Sequence, residues 1–126
     1  DDEVRHAIHA QCPLRVVHGD VILLGSHDVH QPKVRGADKD EAFDNFATMY
    51  DAQASSLTSW FKRHEFRVVG SDLETAGLLA IEATDGSDVI RLEIIPMTSG
   101  PKVESWRLFR VGDSVHHVFP EAAGKD

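Results

Sequence analysis

Cysteine occurs once in the sequence, at Cys12, so no internal disulfide can staple the chain and the redox compartment stays open. A single thiol of this kind most simply fills a small apolar space. As a nucleophile it would need a neighbouring base, and His9 is the only local candidate. Long apolar runs are also missing, since nothing approaches the roughly 18 consecutive residues of a membrane-spanning helix. Positive charge is scarce: 13 Lys and Arg stand against 21 Asp and Glu, for a formal net charge of −8. The densest basic group, Lys62, Arg63 and Arg67, is interrupted by Glu65. Phosphate backbones require clustered cations, so no nucleic acid is expected as a partner, and without a spanning run no membrane is expected either. No G-x-S-x-G, C-x-x-C, P-loop or G-x-G-x-x-G pattern occurs, and no cofactor is expected. The first residue is Asp1 rather than Met, which fits a processed or excerpted form.

What is present suits one ordinary domain. The 126 residues are 41 % hydrophobic and 27 % charged, enough to bury a single core. The expected class is α+β: a long amphipathic helix packed on a curved antiparallel sheet of the cone or roll type, over a single domain 1–126. Residues 1–12 read as a short helix or flexible lead, because Val4, Ile8 and Cys12 recur every four residues before Pro13. Leu14 to Val17 and Val21 to Leu24 read as strands around His18-Gly19-Asp20, followed by a polar loop from Gly25 to Gly36.

Asp38 and Glu41 have the D-x-x-E look of a helix start. The apolar stripe Phe43, Phe46, Tyr50, Leu57 and Phe61, widened by Met49 and Trp60, predicts a helix over about Lys39 to His64 with that stripe on the core. Ser55, Ser56, Thr58 and Ser59 are weak helix formers and predict a kink near Ala54. Two hairpins follow. In the first, Leu79, Ile81 and Ala83 fall opposite Ile94, Leu92 and Ile90, giving an apolar face for the helix. Its other face sets Glu82 opposite Arg91, with Glu93 diagonal. In the second, around Gly112-Asp113, Trp106 falls opposite Phe119 and Leu108 opposite His117. Residues 121–126 read as a tail.

Eight histidines are many for this length. His6 and His9, and His27 and His30, form i,i+3 pairs, but zinc needs three or four converging ligands and neither pair has a zinc signature around it. No metal site is expected. The segment Gly19 to His30 (GDVILLGSHDVH) resembles the second half of a cupin motif, in which a late His supplies one metal ligand; the H-x-H and Glu of the first half are absent upstream. The helix-then-meander order, ending in WRLFRVGDSVHHVF, is similar to the cone-shaped NTF2-like architecture and to a helix-grip fold. That likeness is one of element order over about two thirds of the chain and implies a pocket between helix and sheet.

Two functional readings follow. In one, the helix and sheet enclose a pocket for a small, mostly apolar molecule, lined by Trp106, Phe119, Tyr50 and Leu108, with His117 as an acid or base desolvated among them. In the other, the chain is an acidic adaptor, chaperone-like or inhibitory protein that meets a basic protein partner. A homodimer is the remaining partner class. Whether the chain is an enzyme is open.

Overall fold

The computed structural model describes residues 5–124. Among them the chain forms eight strands in two antiparallel sheets, with two helices, and the sheets do not close into a barrel. The strands are β1 (His6–Ala10), β2 (Leu14–His18), β3 (Val21–Gly25), β4 (Arg67–Leu73), β5 (Leu79–Thr84), β6 (Val89–Ile94), β7 (Trp106–Arg110) and β8 (His116–Phe119). Helices α1 (Lys39–Asp44) and α2 (Met49–His64) lie between β3 and β4. The larger sheet has the order β3-β2-β6-β5-β4 and the smaller one β1-β7-β8.

Both predicted hairpins have the expected register. Leu79, Ile81 and Ala83 pair with Ile94, Leu92 and Ile90. Trp106 pairs with Phe119, and Leu108 with His117. On the polar face Arg91 lies 3.4 Å from Glu82 and 3.2 Å from Glu93. Arg15 joins Glu93 from β2, and its hydrogen bond is the main reason the Glu93 carboxyl sits below the usual range.

The apolar face of the β5–β6 hairpin is shared between two covers. Toward the Ala83/Ile90 end it meets α2, where Leu57, Val16, Leu24 and Ile90 form a buried cluster joined by Tyr50, Ala54, Trp60 and Phe61. Toward the Leu79/Ile94 end it meets the smaller sheet, where Leu79, Ile94 and Trp106 are buried with Ile8, Leu108 and Phe119 packed against them. Leu92 touches both clusters. The helix thus covers half of the expected face, and a second sheet covers the other half.

Two sequence expectations are corrected. Residues 6–10 are a strand, not a short helix: β1 pairs along its full length with β7, from His6 opposite Arg110 to Ala10 opposite Trp106. A spacing of four satisfies the helical period and the strand period of two equally, and Ile8, Ala10 and Cys12 all pack on the second cluster. Val4 lies outside the described residues. At the other end, Glu121–Gly124 form a 3-10 turn.

The helix is also interrupted at residues 45–48, and no kink occurs near Ala54. Phe46 adopts left-handed backbone with φ 54°, and Thr48 then restarts the helix. The Thr48 hydroxyl accepts from the Asp51 N–H at 3.2 Å, while the Asp51 carboxylate accepts from the Thr48 N–H at 3.0 Å and its hydroxyl at 2.7 Å. This reciprocal box begins a helix as firmly as the one Asp38 begins by accepting from the Glu41 N–H at 2.9 Å. Past Ala54, Thr58 bonds back to the Ala54 carbonyl at 2.8 Å, and α2 continues to His64.

Candidate functional site

The residues expected to line one pocket fall into different places. Trp106, Phe119 and Leu108 come together in the cluster between the sheets, with the Trp106 and Phe119 rings stacked at 5.7 Å. Tyr50 belongs to the other cluster, on α2. His117 has the expected register opposite Leu108 but is exposed, which corrects the expectation of a desolvated imidazole. Strand β8 is the outer strand of the smaller sheet, and His117 is not among the residues packed on its cluster.

The polar chemistry of that sheet is on its other face. There Arg107 holds Glu104 through two hydrogen bonds, with its Nε–H at 2.9 Å, and donates from Nη1 to Nδ1 of His116 at 2.9 Å. A guanidinium only donates, so Nδ1 of His116 is the acceptor and its ring proton sits on Nε2. The Arg107 bonds hold the Glu104 carboxyl below the usual carboxylate range. Phe109 stacks on His116 at 4.3 Å and meets the edge of His9 at 4.9 Å. His6 and His9 stand on a strand three residues apart and so point to opposite faces. No group of three or more His, Cys, Asp or Glu among the described residues could hold a metal ion.

At the far end of α2, His18 meets Asp88 at 3.0 Å and His64 meets Asp85 at 3.6 Å, with the Trp60 ring against both imidazoles. Asp85 accepts from the N–H groups of Asp88 and Ser87, and these bonds lower its pKa. These contacts tie helix, hairpin loop and β2 together.

The most exposed aromatic side chains lie elsewhere. Phe43 is 58 % exposed and Phe46 81 % exposed. Both stand in the segment Asp38-Lys-Asp-Glu-Ala-Phe-Asp-Asn-Phe46, where Asp38, Asp40, Glu41 and Asp44 are exposed around them. Only Ala42 of α1 is buried. The left-handed backbone at Phe46 ends α1 and turns this aromatic ring away from the core stripe assigned to it. Asp38, Glu41, Ala42 and Asn45 recur at i, i+3, i+4 and i+7 and line an open depression of about 340 Å³ with Val34, Ala37 and Ala47. The sequence placed Phe43 and Phe46 in the core because their spacing continues that of Tyr50, Leu57 and Phe61; the T-x-x-D restart at Thr48 is the local signal that separates them.

No protein-family model, curated protein or solved structure matches this chain.

Proposed function

We propose that the chain is a protein-binding domain, and that residues 38–46 dock a basic and partly apolar segment of a partner. The observation that carries this reading is the pair Phe43 and Phe46, exposed by 58 % and 81 % amid four exposed carboxylates. Each square ångström of apolar surface kept in water costs about 25 cal/mol, which contact with a partner recovers. Aromatic side chains concentrate at protein interfaces, where they supply large contact areas and anchor binding. The carboxylates add an attraction for cations that speeds encounter, in keeping with the net charge of −8. The left-handed backbone at Phe46 closes the end of α1, with the Ala47 N–H donating to the Ala42 carbonyl at 2.8 Å and the Phe46 N–H to the Phe43 carbonyl at 3.4 Å, and it leaves the ring exposed.

The reading is tested by capturing partners from the native source on the parent chain and on a Phe43→Ser/Phe46→Ser variant. The expected result is a basic protein retained by the parent at low salt and released near 1 M salt, where the screening length falls to about 3 Å. The variant retains little of it while keeping the parent's thermal midpoint. Equal retention of that protein by both forms overturns the assignment of this surface.

A further inference from the structure

A second depression, of about 390 Å³, opens between the loop before α1 and the start of α2. Its volume lies in the range of roughly 300–1,000 Å³ typical of small-ligand sites. Lys33, Arg35 and Lys39 all line it, and no carboxylate does. In a chain of net charge −8 this is a local inversion of sign. None of the three cations is within salt-bridge distance of a carboxylate among the described residues. Of the nearby acids, Asp38 caps α1 and Asp51 caps α2 while feeling Lys33 only through space, and Asp40 and Glu41 stand exposed on α1 outside the lining.

The walls of the depression are fixed. Pro32 bridges to Thr48, with the Lys33 N–H donating to the Ala47 carbonyl at 2.8 Å and the Met49 N–H to the Gln31 carbonyl at 2.7 Å. Between Val34 and Ala37 the loop reverses, closed by the Ala37 N–H on the Val34 carbonyl at 3.1 Å. Gly36 supplies the left-handed residue of that turn, with φ +85°. Like charges lining one depression repel one another, and a bound anion offsets that repulsion. Pro32 and Met49 add apolar surface beside them.

We propose that this depression binds the phosphate ester group of a small ligand. Arg35, Lys33 and Lys39 hold the dianion, and Pro32 and Met49 contact the body that carries it. Arg offers a planar fork matched to phosphate oxygens, and Lys a mobile point charge. The ester has two sources, a soluble metabolite or a phospholipid headgroup.

Phenyl phosphate and phenol are titrated into the 15N-labelled chain, followed by amide chemical shifts. Phenyl phosphate is expected to shift the amides of residues 31–39 and Met49 saturably, whereas phenol leaves them in place. Arg35→Gln/Lys39→Gln is expected to weaken phenyl phosphate by about tenfold or more, the scale of a lost charged hydrogen bond. Lys62→Gln/Arg63→Gln, remote from the depression, changes it by less than about twofold. Co-sedimentation with phosphatidylcholine vesicles, with and without phosphatidic acid, then separates the sources: retention only with phosphatidic acid marks a headgroup site, and no retention marks a soluble ester. The inference is overturned if these amides do not shift, if phenol shifts them equally, or if a folded Arg35→Gln/Lys39→Gln variant binds like the parent.

Discussion

The indole N–H of Trp106 donates to the carbonyl oxygen of Gly77 across 2.9 Å, in a site buried from water. Gly77 precedes β5 and Trp106 begins β7, so this one bond joins the larger sheet to the smaller. Gly77 also has φ +85° and lies so close to the Phe119 ring that a Cβ there would overlap it. The glycine is therefore required twice, by its backbone and by its neighbour.

Gly77→Ala is accordingly expected to destabilise the fold by on the order of 2–5 kcal/mol, from left-handed backbone plus overpacking. Phe119→Leu removes the ring that the new methyl meets, so Gly77→Ala should cost less in that background. Urea denaturation of the two single variants and the double variant measures the coupling. Strict additivity would show that the ring is not what excludes the methyl.

The exposed Phe43 should separate cleanly from the core strand residues. Ile94, 1 % exposed, is expected to lose about 2–5 kcal/mol on substitution by Ala. Leu92→Ala should fall in the same range because Leu92 packs in both clusters. Phe43→Ala should change stability by less than about 0.5 kcal/mol. A denaturation midpoint for Leu92→Ala equal to the parent's would contradict the shared core.

Phe46 offers the opposite sign. Left-handed backbone costs a non-glycine residue roughly 1–2 kcal/mol, and an 81 % exposed ring offsets little of it. Phe46→Gly relieves that strain but also gains entropy in the unfolded chain, so a net gain of up to about 1 kcal/mol is expected. The same variant should bind the partner proposed above more weakly. A lower thermal midpoint for Phe46→Gly would remove the strain argument.

Acid should destabilise the protein in a definable way. Asp51, Asp85, Glu93 and Glu104 all have folded-state pKa values below their ordinary ones, because of hydrogen bonds from Thr48, from the backbone at Asp88, from Arg15 and from Arg107 respectively. A carboxyl that holds its proton less tightly when folded favours the fold above its ordinary pKa. That contribution is lost as pH falls from the ordinary carboxylate range through the lowered folded value. Stability measured by denaturant between pH 7 and pH 3 should therefore fall, and Glu93→Gln/Glu104→Gln should flatten the curve. A parallel curve for the double variant would rule out these two carboxyls as its cause.

The hairpins were legible because strand alternation and a short turn fix register locally: Leu79, Ile81 and Ala83 could only face Ile94, Leu92 and Ile90. The acidic residues around Phe43 and Phe46 were equally visible, but not their exposure, because the stripe runs through Phe46 without announcing the left-handed turn there. Strand β1 was hidden by its period and by a partner far along the chain. His117 shows a subtler limit. Its side of the strand follows from register, yet its burial depends on how far the opposite sheet extends, which no local pattern records. The basic depression combines loop residues 33–39 with Met49 of α2, and its formation depends on the break that separates the two helices.

Strand β7 is the middle of its sheet, yet its neighbours β1 and β8 come from opposite ends of the described chain. On the ribosome β1 emerges long before β7, the strand it pairs with. The β2–β3 and β5–β6 hairpins close over short loops and can pair within microseconds of release. The β1–β7 ladder closes a loop that contains almost every other element, so its assembly comes late and slowly. Until then Ile8 and Ala10 wait without cover, with Arg5, His6 and His9 exposed beside them, polar residues of the kind that discourage an unpaired strand from joining another chain.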